Sequence, residues 1–144
     1  MSFKFGKRII MSRLFAELLV PKLKYIDQNY VLMPVPLHIS RLRSRGYNQA
    51  YEIAKELAKL SHRKLDTSLI RLKKTTMQAQ LNLKQRAKNV NKAFNVKKNL
   101  ISKKIILIDD VMTTGNTLRE CAKTLFKAGA SDVKVMVFAR KFLS

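Results

Sequence analysis

The stretch that decides the fold reads Ile105-Ile106-Leu107-Ile108-Asp109-Asp110-Val111-Met112-Thr113-Thr114-Gly115-Asn116-Thr117-Leu118. Four apolar residues at its start predict a strand that is buried on both faces, as in a parallel sheet. Asp109 and Asp110 follow where that strand should emerge, which is the edge at which open α/β sheets bind ligands. A helix is predicted from Gly115 to Lys127. The N–H groups at its start, helped by the helix dipole, favour an anion.

Carboxylates and an anion site side by side indicate a particular kind of ligand. Two adjacent carboxylates would repel a phosphate, but they accept hydrogen bonds from sugar hydroxyls. A ribose 5-phosphate satisfies both halves of the pattern, with its hydroxyls on Asp109 and Asp110. The residues predicted to hold the phosphate are Thr113, Thr114, Gly115, Asn116 and Thr117. Gly115 has no side chain to keep the backbone away from that phosphate.

Two other nucleotide-binding motifs are excluded by the glycine count. An ATPase strand of the same appearance needs a partner G-x-x-x-x-G-K-[ST] loop, and a dinucleotide site needs G-x-G-x-x-G. The chain has only four glycines, and none are close enough together to build either loop. They are Gly6, Gly46, Gly115 and Gly129.

The rest of the chain alternates predicted strands with predicted helices. An amphipathic helix covers Ile9 to Leu18 and is broken soon after by Pro21, and a second helix opens at Gly46 and runs to about Leu60. The predicted strands are 31–35, 69–72, 93–96, 104–108 and 133–139. This order predicts an α/β fold with a mainly parallel sheet. Residues 1–144 are expected to form one domain.

Charge is the most unusual property of the composition. The net charge is +21, and the range from Ser61 to Lys104 holds 13 Lys or Arg and one acid, Asp66. Such a surface attracts polyanions, either nucleic acid or a phosphorylated substrate, although a merely solvated surface has the same composition. The single Cys121 excludes a disulfide framework and a multi-cysteine zinc site. No apolar stretch approaches the ~20 residues of a membrane span, so a cytoplasmic location is expected.

At this point the residues resemble a family. Residues 105–118 resemble the motif with which type I phosphoribosyltransferases bind 5-phosphoribosyl-1-pyrophosphate (PRPP). Two further segments, Pro34-Val35-Pro36-Leu37 and Arg45-Gly46-Tyr47-Asn48-Gln49, extend the resemblance to the competence protein ComF family, also called GntX-like. The resemblance also includes Arg71, Thr75, Gln78, Leu81, Arg86, Asn89-Val90 and Ala93-Phe94, and runs from about Phe3 to Arg140.

The resemblance implies a type I phosphoribosyltransferase (Rossmann-like) fold with a short basic hood between Leu72 and Ala93. Gln78 and Arg86 would be candidates for contacts that close the hood over PRPP. The arginine-rich loop from His38 to Arg45 would cradle the pyrophosphate, because a guanidinium binds two oxygens at once. Mg²⁺ would accompany the pyrophosphate. The residues assigned to this pyrophosphate loop are Leu37, His38, Arg41 and Arg45. A solvated surface or a DNA contact remains an alternative for these arginines.

Two functional hypotheses from different classes follow. The first is a phosphoribosyltransferase, a pentosyl-transferring enzyme linked to DNA uptake in natural transformation, with the acceptor and the catalytic residues unassigned. The second is a non-catalytic protein that handles single-stranded DNA and uses PRPP as a regulatory ligand or not at all. A third, an interaction subunit that needs a partner protein, also remains, and the oligomeric state is not indicated.

One departure from the family pattern concerns the N-terminus. Many relatives carry a cysteine-rich zinc ribbon before the Lys-Phe-x-Gly region, whereas this sequence starts at that region and contains no C-x-x-C. A fragment, a shortened gene product and a lineage that lost the module are three open explanations. No metal site is therefore expected from the residues of the chain itself.

Overall fold

The computed structural model describes residues 3–72, 84, 92–112 and 114–140. Its helices are α1 (Phe3–Leu23), α2 (Ile39–Arg45), α3 (Gln49–Ser61) and α4 (Asn116–Lys127). Its strands are β1 (Val31–Pro34), β2 (Leu69–Arg71), β3 (Phe94–Val96), β4 (Lys104–Met112) and β5 (Asp132–Arg140). The predicted alternation of strands and helices is confirmed. Within these residues, no helix combines the length and the apolar character that crossing a membrane requires.

The central sheet is parallel, with the order β1-β4-β5. Val31 of β1 is in register with Ile105, and Lys104 of β4 is in register with Asp132 of β5. A short bridge between Leu32 and Leu65 lies beside β1. The strands β2 and β3 form a separate antiparallel pair, with Arg71 opposite Phe94. The carboxyl ends of β1 and β4 therefore meet at one edge, as the sequence pattern predicts.

Strand β4 separates two apolar cores. Ile105 and Leu107 point into a core shared with α4, β2 and β3, whereas Ile106 and Ile108 point into a core shared with α1 and α3. All four side chains are at most 1% exposed. Because side chains of a strand alternate between faces, this register continues into the two acidic residues that follow. Asp109 is thereby expected on the α4 face of the sheet and Asp110 on the α3 face.

The predicted loop from His38 to Arg45 is wrong, because residues Ile39–Arg45 form helix α2. The Nδ1 of His38 accepts from the backbone N–H of Ser40 at 3.2 Å and so caps the helix. Gly46 ends α2 with a φ of +80°, and its N–H donates to the carbonyl of Leu42. Gly46 was predicted to open the next helix, which in fact begins at Gln49 after the side-chain cap of Asn48.

Helix α1 also departs from the predicted limit at Pro21. The helix continues through Pro21 to Leu23. Leu19 and Leu23 are nearly fully buried in the core shared with α3. That burial stabilises the last turn by more than the loss of the one backbone hydrogen bond that proline cannot donate.

Strand β4 is longer than the predicted range 104–108. It continues to Met112, so Asp109 and Asp110 lie within the strand rather than after it. Asp109 is held there by register with Val137 of β5, which extends to Arg140. The two carboxylates are therefore fixed by a sheet and not by a loop.

Candidate functional site

A cleft of about 180 Å³ opens at the carboxyl edge of the sheet, between the ends of β1 and β4 and the starts of α3 and α4. It brings together most of the residues that the sequence predicted to bind ligand. The predicted site residues that line it are Leu37, Arg45, Asp109, Asp110, Thr114, Gly115, Asn116 and Thr117. The other lining residues are Val35, Pro36, Asn48, Gln49, Ala50, Arg71, Val111, Met112 and Leu118.

The two carboxylates are fixed by short-range hydrogen bonds to the backbone. The N–H of Asp110 donates to Oδ1 of Asp109 at 2.9 Å, and the N–H of Val111 donates to Oδ1 of Asp110 at 2.9 Å. Each carboxylate keeps a second oxygen that can accept a hydrogen bond from a ligand. Two adjacent acceptors at the floor of a cleft suit a vicinal diol.

Asp109 has an unusually high pKa for a carboxyl group. Burial, followed by the hydrogen bond and the charge of Asp110, raises its pKa to about 7, while the N–H of Asp110 and the charge of Arg71 act in the opposite direction. Burial dominates because desolvation disfavours the charged form. Shifts of this size concentrate at functional sites, which makes Asp109 a candidate for a role in binding or chemistry.

The turn between β4 and α4 forms the other end of the cleft. Gly115 has a φ of +81°, a conformation that favours glycine. The N–H of Asn116 donates to Oγ1 of Thr114 at 3.3 Å. Arg119 holds the turn from the helix side, donating to the carbonyl of Thr114 and to Oδ1 of Asn116, both at 3.1 Å. Thr113 lies outside the described residues, so its predicted role stays a prediction.

The residues predicted for a pyrophosphate loop fall into two groups. Leu37 and Arg45 line the cleft, whereas His38 and Arg41 do not. His38 is engaged as the cap of α2, with Nδ1 also 2.9 Å from Oγ of Ser40. The guanidinium carbon of Arg45 lies 5.4 Å from the centre of the Tyr47 ring. Of the predicted arginines, Arg45 is therefore the one placed to meet a ligand in this cleft.

Sequence reasoning assigned no site role to three residues that shape the cleft. Asn48 accepts from the N–H groups of Ala50 and Tyr51 and donates to the carbonyl of Val35 at 3.0 Å, so it ties the start of α3 to the end of β1. An asparagine just before a predicted helix is a detectable capping signal. Arg119 and Arg71 gave no such signal, because their positions depend on tertiary contacts.

The remaining predictions concern the hood and metal ions. Gln78 and Arg86, the candidates for hood contacts, lie outside the described residues. In the part of the chain that the structure describes, no three His, Cys, Asp or Glu residues cluster as they would around a metal ion. Mg²⁺ usually binds through one or two carboxylates together with substrate phosphates, so it does not require a protein cluster of this kind.

Comparison with known sequences matches the chain to one domain family and to several related bacterial proteins. A model described as the phosphoribosyl transferase domain matches residues 24–142. Competence protein F of Haemophilus influenzae is 34% identical over 148 residues, which cover 96% of this chain and 65% of that protein. Competence protein ComFC of Streptococcus pneumoniae is 32% identical, covering 96% of this chain and 60% of that protein. DNA utilization protein YhgH of Escherichia coli is 31% identical, covering 76% and 48%. The chain thus spans about half to two thirds of the length of these relatives.

Comparison with solved structures supports the same fold. The allosteric regulatory enzyme of purine biosynthesis superposes with a TM-score of 0.57 at 17% identity, covering 88% of this chain and 25% of that one. A hypoxanthine phosphoribosyltransferase from Staphylococcus aureus gives a TM-score of 0.56 at 12% identity, covering 92% and 66%. At such low identity the likeness shows the fold alone.

Proposed function

The chain belongs to the phosphoribosyl transferase domain family, and within it to the ComF type, and from that premise we propose that its cleft binds PRPP. The observation that carries the proposal is the cleft itself. It joins two backbone-fixed carboxylates, Asp109 and Asp110, to the turn that begins α4. A ribose with a phosphate at one end matches this pairing of acceptors and anion site.

Each part of PRPP has a counterpart in the cleft. The ribose hydroxyls would donate to Asp109 and Asp110, and the 5-phosphate would lie on the turn that contains Gly115 and Thr117. Arg45 would neutralise the pyrophosphate, with a guanidinium suited to two phosphate oxygens. Mg²⁺ would supply further positive charge on the pyrophosphate oxygens and would arrive with the ligand. A cytoplasmic location, favoured by a single buried cysteine, is part of the proposal.

The reaction supported by this arrangement is displacement of pyrophosphate from C1 of the ribose by an acceptor. The bond from C1 to the pyrophosphate oxygen breaks, a bond from C1 to the acceptor forms, and the electron pair leaves with the pyrophosphate. Catalysis would come from holding the sugar in place and from stabilising the charge of the leaving group. The proposal assigns the phosphoribosyl donor and leaves the acceptor to be identified by experiment.

Calorimetric titration of PRPP with Mg²⁺ tests the proposal. We expect the wild-type chain to bind and the double variant Asp109→Asn, Asp110→Asn to lose binding, because two amides donate as well as accept and remove the negative charge. The matched control is Asp27→Asn with Asp132→Asn. Both control carboxylates lie at the other end of the sheet, Asp27 3.9 Å from Nζ of Lys104 and Asp132 at the start of β5.

The control changes the net charge by the same amount, so a general electrostatic effect would appear in both double variants. Selective loss in the Asp109 and Asp110 variant supports the ribose assignment. Equal affinity in all three proteins would contradict it.

The relatives are named competence and DNA utilization proteins, which favours a second activity that involves DNA, here the handling of single-stranded DNA. We propose it as the alternative function, with PRPP as a regulatory ligand or not used. The net charge of +21 suits a polyanion. Binding of a fluorescently labelled single-stranded oligonucleotide should then weaken steeply as salt increases, because phosphate contacts release counterions. Affinity that does not change with salt would count against a DNA function.

A further inference from the structure

Arg71 is the cationic side chain of β2 that reaches the cleft, and we propose that it is the positioning residue that keeps Asp109 available as a hydrogen-bond acceptor. The inference deepens the proposed function, on which its consequence for PRPP rests. It concerns a residue outside the motif at 105–118 and outside the arginine-rich segment that α2 contains.

The antiparallel pair of β2 and β3 fixes the position of Arg71. Arg71 is the last residue of β2 and lies in register with Phe94 of β3, and the next N–H, that of Leu72, donates to the carbonyl of Ala93 at 2.7 Å. The guanidinium carbon lies 5.2 Å from the centre of the Phe94 ring. Phe94 is only 6% exposed and belongs to the core, so the guanidinium lies against a packed aromatic ring. A cation over a buried aromatic ring is held by the negative face of the ring.

The alternation along β4 brings Asp109 to the same side of the sheet. Ile105 and Leu107 contact the core that contains Phe94 and Cys121, and Asp109 continues their face. Arg71 and Asp109 both line the cleft. The pKa of Arg71 is lowered, first by burial and then by the charge of Arg41, and the charge of Asp109 opposes that shift. The charge of Arg71 in turn lowers the pKa of Asp109, so the two groups influence each other across the cleft.

Within the described part of the chain, the other titratable groups around Asp109 do not perform this role. Asp110, its neighbour on β4, raises the pKa of Asp109. Cys121 on α4 is fully buried, and burial raises the pKa of its thiol, so it stays neutral. On α2, Arg41 repels Arg71, and Arg45 lines the cleft without being among the charges that shift the pKa of Asp109. Arg71 is thus the cation whose field opposes both the burial of Asp109 and the charge of Asp110.

We expect Arg71 to help ligand binding by favouring the ionised form of Asp109. A protonated Asp109 would offer a donor where a ribose hydroxyl needs an acceptor. Because Asp109 titrates near neutral pH, about half of the molecules hold it ionised there, and the positive charge of Arg71 increases that fraction. Arg71 is the last residue of β2, which leads into residues 73–91, and its charge favours the ionised form of the Asp109 carboxyl group in the cleft.

The first test is titration of the Asp109 carboxyl carbon by NMR in the ligand-free protein, with Asp109→Asn to assign the signal. In the wild type we expect a midpoint near 7. Arg71→Met should raise the midpoint by at most about one unit, since removing an opposite charge acts in that direction and Arg71 is the weakest of the influences on this pKa. Arg71→Lys should restore most of the wild-type value. The control Arg13→Met removes an arginine from the exposed face of α1 and should leave the midpoint unchanged.

The second test separates positioning from direct contact. A rise of one unit lowers the ionised fraction at neutral pH from one half to about one in eleven, so PRPP affinity should fall by up to about fivefold in Arg71→Met. The affinity should recover about two pH units higher, where Asp109 is ionised again. A residue that touches the ligand would lose affinity at every pH, and that result would overturn the inference.

Failure of this inference is distinguishable from failure of the proposed function. The NMR titration needs no ligand, so a shifted midpoint in Arg71→Met supports the coupling even in a protein that does not bind PRPP. An unshifted midpoint in a folded variant, judged by circular dichroism, overturns it. Arg71→Gln provides the same measurement should Arg71→Met fail to fold.

Discussion

Replacing Asp109 by asparagine should stabilise the protein at alkaline pH while weakening its ligand site. Asp109 is ionised in the unfolded chain above its ordinary pKa of 3.8, but in the folded protein its pKa is about 7. Between these values the folded state binds more protons than the unfolded state, so the contribution of Asp109 to stability falls as pH rises through this window. Above about pH 7, the Asp109 carboxylate is ionised in the folded protein as well, and the whole loss of stability caused by burying its charge is present.

The magnitude follows from the shift. A difference of about three pKa units corresponds to about 4 kcal/mol, since each unit is worth about 1.4 kcal/mol. We expect about 2 kcal/mol, because the carboxyl group lines an open cleft in which water screens its charge. The side-chain amide oxygen of the Asp109→Asn variant would still accept from the N–H of Asp110, as Oδ1 of Asp109 does at 2.9 Å. The substitution Asp109→Asn therefore loses little stability from this hydrogen bond.

The assay is urea denaturation of both proteins at about pH 5 and about pH 8. The variant should gain about 1 kcal/mol over the wild type between these two pH values, because only the part of the window from about pH 5 to about pH 7 falls within the assay. Asp66 and Asp132 have lowered pKa values, so they contribute a pH dependence of the opposite sign. Their contribution is the same in both proteins and cancels when the two free energies of unfolding are subtracted. An identical pH dependence of the free energy of unfolding in the two proteins would show that burial does not disfavour the ionised form of Asp109.

Three further predictions concern the scaffold and its cysteine. Gly129→Ala should cost about 1–3 kcal/mol in thermal denaturation, because φ is +106° and a Cβ would lie 2.9 Å from Ile101, whereas Gly6→Ala, with open space around it, should be neutral or stabilising. Asn48→Ala should lose about 1–2 kcal/mol through its helix cap, and an unchanged melting temperature would contradict that role. Cys121 should resist alkylation in the folded protein, because burial raises the pKa of its thiol, and rapid native labelling would contradict this.

The parts of the site that could be predicted from sequence are those with a local pattern. The apolar run Ile105–Ile108 followed by two acids predicts both a buried strand and its ligand-binding end, and the structure places both in the central sheet. Gly115, predicted at the start of the helix and at the phosphate turn, lies just before α4 and lines the cleft. These features depend on neighbours in sequence, so a single chain is enough to find them.

Two of the missed parts depend on distant contacts, whereas helix α2 was missed despite local signals. The arginine-rich segment forms helix α2 because His38 caps it and Gly46 ends it, whereas its polar composition alone favoured a loop. Strand β4 continues past Asp109 because β5 offers partners as far as Arg140. Arg71 gains its place through the aromatic ring of Phe94, which is far along the chain. Composition and spacing carry no information about these pairings.

Titration of PRPP with Mg²⁺ into the wild-type chain and the Asp109→Asn, Asp110→Asn variant tests the central claim most directly. We expect saturable binding by the wild type and its loss in the variant, while the Asp27→Asn, Asp132→Asn control binds normally. Absence of binding by the folded wild type, or equal binding by both double variants, would contradict the assignment of this cleft to PRPP.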